Sequence, residues 1–157
     1  MQASTPIEIV ERLSGPTFAV RTGLWLVPRA VLRQPKDSAA RLGIDASDIR
    51  EPIQADLPSG TRFLGLSTSG LIRALDSLCV APSGGNCLLV YNLDLLIARL
   101  YRQDRLEFWR TLFDGFPHRQ RGLLLLMPLG ANHLSPSSQT LEVWRHDGRL
   151  AVEPAAK

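Results

Sequence analysis

The chain predicts a three-layer α/β fold with a mostly parallel central sheet and a C-terminal antiparallel hairpin. Three observations carry this expectation. The apolar runs Leu24–Val27, Cys87–Tyr91 and Leu123–Met127 are continuous rather than alternating, the pattern of strands covered on both faces. Segments with helical apolar spacing separate these runs, and that alternation marks an α/β chain with right-handed crossovers. Near the end, Leu141–Trp144 and Arg149–Val152 flank His146-Asp147-Gly148, and Asp-Gly between two apolar stretches is a hairpin signal.

The elements follow in order. Thr5 to Leu13 reads as a short helix, with Thr5 as cap, Pro6 at the first helical position and Glu8 at the third. Ser14-Gly15-Pro16 ends it. Leu24–Val27 is the first core strand, stopped by Pro28. Ala30 to Leu42 is helical with a break at Pro35, and Gly43 closes it. Asp45 to Gly60 is polar, carries Pro52 and Pro58, and reads as a surface connection with one extended piece. Arg62–Leu66 is the second strand. Ser67-Thr68-Ser69-Gly70 opens a helix that runs through Leu78, with Leu71, Leu75 and Leu78 on one face. Pro82–Gly85 is a loop before the strand Cys87–Tyr91. Leu93–Tyr101 and Leu106–Phe113 are helical, jointed at Gln103-Asp104, with Leu96, Leu100, Trp109, Leu112 and Phe113 facing inward. Gly115–Gln120 is a turn, and Leu123–Met127 is a buried strand ended by Pro128.

At 157 residues and 45% hydrophobic content the chain suits one domain, residues 1–152, with 153–157 as a disordered tail. The longest apolar run, Leu123–Leu129, is too short to span a bilayer. The start Met-Gln-Ala-Ser-Thr lacks a basic patch and apolar core, so the expected compartment is cytoplasmic and no membrane partner is expected. Cys79 and Cys87 are expected as reduced buried thiols. No Cys/His grouping has zinc spacing, so no metal is expected, and no cofactor is assigned. Net charge is +3, and Lys36 and Lys157 are the only lysines. The arginine excess suits bidentate contacts to carboxylates or phosphates. Trp25, Trp144, Phe108 and Phe113 read as core or interface anchors.

The stretch Leu88-Leu89-Val90-Tyr91-Asn92-Leu93-Asp94-Leu95-Leu96 carries the most chemical information. An apolar strand delivers polar residues to its carboxyl end, where such sheets keep ligands. This is the outline of a Walker B strand in a P-loop NTPase. Asn92 and Asp94 are therefore the candidate cofactor-binding residues, with helix capping by Asn92 as the other reading. The matching phosphate loop is missing, because Val27-Pro28-Arg29-Ala30 supplies no glycine, lysine or hydroxyl where one is needed. ATP hydrolysis is not expected and no catalytic residue is assigned. Ser67-Thr68-Ser69-Gly70 is an N-cap or an anion-binding turn. Arg99, Arg102, Arg105, Arg110, Arg119 and Arg121, with Tyr101 and Trp109 among them, form a candidate surface for a protein partner or for nucleic acid. His118, His133 and His146 have no evident Ser or Cys partner in sequence.

The same stretch resembles the Walker B region of BrxF, a small P-loop-type family of bacteriophage-exclusion (BREX) defence systems. The layout is similar over about residues 20 to 130, with Leu123–Met127 and Pro128 where the family's next core strand stands. Asn92 replaces an acid, and the phosphate loop that the family bears is absent at Pro28-Arg29. The resemblance thus implies a degenerate relative: a non-catalytic, pseudo-NTPase accessory subunit in a bacterial antiviral defence or DNA-processing complex. A nucleotide-binding ATPase-like protein and a nucleic-acid-binding module are the alternatives.

Overall fold

The computed structural model describes residues 4–15, 22–55, 67–80, 86–115 and 121–153. Among these, the strands β1 (Thr22–Val27), β2 (Asp45–Asp48), β3 (Cys87–Tyr91), β4 (Gly122–Pro128) and β5 (Leu150–Val152) form one all-parallel sheet in the order β2-β3-β4-β1-β5. Helices α1 (Pro6–Ser14), α2 (Arg29–Leu32), α3 (Pro35–Leu42), α4 (Arg50–Ala55), α5 (Thr68–Cys79), α6 (Leu93–Ile97), α7 (Arg102–Arg110) and α8 (Ser138–His146) cover both faces. A π-helical turn, Thr111–Gly115, extends α7. The expected strand Arg62–Leu66 and the loop Pro82–Gly85 lie outside the described residues.

The strand order explains the layers. From β1 the chain crosses to the far edge at β2, then returns through β3 and β4 and passes over β1 to β5. Right-handed crossovers running in opposite directions put their helices on opposite faces. The two core clusters follow that division. On one face, Ile9, Leu13 and Ala39 of α1 and α3 pack on Trp25, Val27, Leu89, Leu124 and Leu126. On the other, Leu71, Leu75, Ile97, Phe108 and Trp144 pack on Leu24, Leu26, Leu88, Val90 and Leu125. Unbroken apolar strands are what a sheet buried on both faces requires.

Local signals set most helix ends. Thr5 Oγ1 accepts the Glu8 amide at 3.2 Å, with Pro6 in the first turn. Ser67 Oγ accepts the Gly70 amide at 3.0 Å, so the serine-threonine stretch is a cap. The helix between Ala30 and Leu42 does break before Pro35 and ends at Gly43.

Four expectations are corrected. The C-terminal hairpin does not form, because its first arm is α8 and its second, β5, pairs parallel to β1. Ser137 Oγ caps α8 by accepting the Thr140 amide, and Leu141 and Trp144, three apart, turn to the core while Val143 stays exposed. Gly148, at φ 71°, closes α8 with bonds from the amides of Gly148 and Arg149 to the carbonyls of Arg145 and Trp144. That is a Schellman helix stop. Asp-Gly there ends a helix instead of turning a ribbon. The segment after Asp45 holds its expected extended piece as edge strand β2, but it also forms a helix, α4. The joint after β3 falls at Ala98–Tyr101, before Arg102, rather than at Gln103-Asp104, which lies inside α7. Glu153 continues the pairing of β5, its amide donating to Leu26 O at 2.8 Å, and 154–157 lie outside the described residues.

Arg149 pins the ends of the fold together. It is buried beside Thr22, with Nε donating to Thr22 O at 2.8 Å and Nη2 to Thr22 Oγ1 at 2.5 Å. Its guanidinium lies 4.3 Å from the Trp144 ring centroid and 4.6 Å from that of Phe113. Burial pushes its pKa down to about 10, against the opposing pull of Asp147 and Asp114. Cys79 and Cys87 are both buried.

Candidate functional site

In open parallel sheets, ligands bind beyond the carboxyl ends of the strands, where neighbouring connections leave to opposite faces. Here that point lies between β1 and β4. It is closed by backbone and proline. Val27 stands beside Pro128 in register, and the Leu129 amide donates to Val27 O at 2.7 Å. Pro28 then leads straight into the four-residue α2. The proline has no amide to offer, and this exit lacks the glycines that let backbone approach a phosphate.

The polar groups gather on the far side of β4, at the carboxyl ends of β2 and β3. Asp48 ends β2, and Arg50 opens α4. Arg50 Nε lies 3.1 and 3.2 Å from the two Asp48 carboxylate oxygens, and Nη2 donates to Oδ2 at 2.8 Å. The Arg50 amide adds a bond to Oδ1 at 3.0 Å, and Asn92 Nδ2 donates to Oδ2 at 2.9 Å. Burial pushes the Asp48 pKa upward, but the bonds from Arg50 and Asn92 outweigh it and hold the carboxyl below its ordinary value. The bond to Asp48 raises the Arg50 pKa in turn. Tyr91, just before Asn92, is pushed up by burial and by the negative charges of Asp48 and Glu51.

Asn92 stands at the cap position of α6, yet its side chain does not cap. It reaches across to Asp48, while its backbone sits at φ 67°, a left-handed conformation. Among the described residues it is the only one besides glycine with positive φ. Asparagine tolerates that region better than most residues, and such positions concentrate at functional sites. Asp94 lies in the first turn of α6. Burial raises its pKa, although its own amide and that of Leu95 pull the other way.

The two candidate residues thus do different things. Asn92 belongs to a polar knot whose carboxylate is already engaged by this chain's own donors. A cation at Asp48 has to displace Arg50. Among the described residues no group of three His, Cys, Asp or Glu side chains is placed to hold a metal.

The arginines do not form one surface. Arg99, Arg102 and Arg110 are exposed. Arg105 is half-buried, and its Nη1 donates to His133 O at 3.0 Å. Arg121 is 6% exposed, and its Nη1 donates to Leu78 O at 2.9 Å, so it braces the interior. Arg119 lies outside the described residues. Beside the exposed arginines stand apolar side chains, Tyr101 at 83% exposure and Leu106 at 53%. Trp109 is buried and donates to Leu134 O at 2.9 Å, so it is not a stacking platform.

Comparisons with protein-family models, with curated proteins and with solved structures find no match to this chain. Its own geometry carries the functional argument.

Sequence reasoning missed Asp48 and Arg50. Asp45-Ala46-Ser47-Asp48 is a poor strand by composition, since Asp, Ala and Ser are not strand formers. The one available signal was the acid-x-arginine spacing just ahead of Pro52.

Among the described residues no helix is long and apolar enough to cross a membrane.

Proposed function

We propose that this chain is a non-catalytic, P-loop-like accessory subunit that binds partner proteins in a cytoplasmic bacterial assembly for antiviral defence or DNA processing. The observation that carries the reading is the exit of β1. Pro28 leads directly into a four-residue helix where a phosphate loop would have to stand. The polar knot beyond β4 supports the same reading, because Arg50 and Asn92 occupy the Asp48 carboxylate. The BrxF resemblance of the β3 segment supplies the setting.

Contact with a protein is favoured over nucleic acid by what accompanies the arginines. Arg102 and Arg110 share α7 with exposed Leu106, next to exposed Tyr101. Arginine and tyrosine among apolar groups are typical interface anchors. Asp104 and Glu107 on the same helix oppose a polyanion.

Three measurements test the proposal. Co-expression with the products of adjacent genes, followed by size-exclusion chromatography, should give a complex that Leu106→Glu with Arg102→Glu dissolves. Calorimetry with magnesium-ATP should register no binding. ATP binding that Asp94→Ala abolishes establishes the nucleotide-binding alternative instead. A DNA gel shift with steep salt dependence, lost on reversing Arg99, Arg102 and Arg105, establishes the nucleic-acid alternative.

A further inference from the structure

Helices α7 and α8 leave a groove of about 340 Å³ between them. Leu106, Trp109, Phe113, Pro136 and Val143 give it an apolar lining, and Arg110 and Asp114 add one charge of each sign. We infer that this groove receives α1 of a second copy of the chain, with Ile7 entering between Leu106 and Val143 and Glu11 pairing with Arg110.

Leu106 of α7 is 53% exposed and Val143 of α8 is 44% exposed. A lone exposed aliphatic side chain is ordinary, but these two share one groove with Trp109 and Phe113 and form a patch. The complementary face is on α1. Ile9 and Leu13 turn to the core, which leaves Ile7, Glu8 and Glu11 outward, with Ile7 at 56% exposure. Ile7 and Glu11 are four residues apart, as are Leu106 and Arg110, so each pair makes a stripe about 6 Å long on its helix. With the two helices side by side in the same direction, isoleucine meets leucine and carboxylate meets guanidinium. Asp114, one turn further along, then falls opposite Gly15, which carries no charge.

The neighbouring charges are engaged within each copy. Arg12 donates to Ser4 Oγ and Gly148 O and lies 3.7 Å from Glu8. Glu142 pairs with Arg145 on α8. Among the described residues Glu11 and Arg110 have no ionic partner. The α1 cluster and the cluster beneath α7 and α8 lie on opposite faces of the sheet, so the contact is head-to-tail and extends from copy to copy. One helix laid in one groove buries less than about 1,200 Å², the range of weak association.

The purified chain alone tests this, so the outcome is separate from that of the partner proposal. Sedimentation equilibrium between about 10 μM and 1 mM should show a mass that climbs past the dimer with concentration. Ile7→Glu and Val143→Glu, both at exposed positions, should each stay monomeric, with unchanged thermal melts reporting intact folds. Mixed in equal amounts they should give a dimer that grows no further, because one intact α1 and one intact groove remain. Arg110→Glu should weaken self-association roughly tenfold, and Glu11→Arg in the same chain should restore it. A wild-type chain that stays monomeric or stops at the dimer, self-association that survives Ile7→Glu, no dimer in the mixture, or no rescue by Glu11→Arg each overturns the proposal.

Discussion

Asn92 Nδ2 donates to Asp48 Oδ2 at 2.9 Å, joining two residues 44 apart in the chain at the carboxyl ends of neighbouring strands. The bond ties the edge strand β2 to β3 through side chains, just where their backbone ladder stops. It also accounts for the left-handed backbone of Asn92, because the side chain turns toward β2 rather than down onto α6.

Substitutions at Asn92 separate backbone from side chain. Asn92→Gly keeps the conformation and loses only the bond, costing about 1 kcal/mol. Asn92→Ala loses the bond and meets the left-handed penalty as well, for a total of about 2 kcal/mol. Urea denaturation should rank wild type above Asn92→Gly and Asn92→Ala last. A glycine variant no better than alanine removes the conformational argument.

Asp48 and Asp94 give opposite pH signatures. Asp48 has its folded pKa below the unfolded value of about 3.9, so the native state binds fewer protons. Its contribution is present above that value and is lost as pH falls through the folded pKa. Asp94 has its pKa raised, so its contribution is present in acid and is lost as pH rises through the folded pKa. Thermal melts across the acid range should show Asp48→Asn least stable relative to wild type at neutral pH, with the gap closing in acid. Asp94→Asn should instead match wild type in acid and exceed it at neutral pH. The reverse pattern for either carboxylate counts against its assigned environment.

Arg149→Lys keeps the charge but loses the fork. A single ammonium cannot hold Thr22 O and Thr22 Oγ1 while stacking on Trp144 and Phe113. The expected loss is about 2 kcal/mol, read from chemical denaturation. Stability equal to wild type refutes the pinning role.

Gly122→Ala strikes where α1 meets β4. An added Cβ would lie 2.6 Å from Leu13 Cβ and 2.9 Å from Leu13 O. The helix has to lift, at about 2–3 kcal/mol. Leu13→Ala in the same chain brings no rescue, because it keeps both obstructing atoms. A melt in which the pair recovers wild-type stability shows that only the leucine side chain was in the way.

The fold was legible where burial dictates composition. Strands covered on both faces must be apolar throughout, so β1, β3 and β4 stood out at once, and Thr5, Ser67 and Gly43 marked helix ends through their own chemistry. The errors came where one signal has two structural meanings. Asp147-Gly148 satisfies both a hairpin turn and a helix stop, and the decision rests on Trp144 and Leu141 finding the core three residues apart. The site was half legible. Asn92 could be placed at a strand exit, but its partner Asp48 sits in an edge strand with no apolar signature, and the pairing of the two is fixed only by strand order.

The position of β1 has a kinetic consequence. Translation delivers this strand before the other four, yet its two neighbours, β4 and β5, are the last of the described strands to emerge. Until then Trp25 and Leu26 have no partner strand to lie against, and distant pairings of this kind make for slow assembly. A nascent chain stalled before β4 has made an interior strand and cannot yet enclose it. Such a chain is where a holding chaperone would find its substrate.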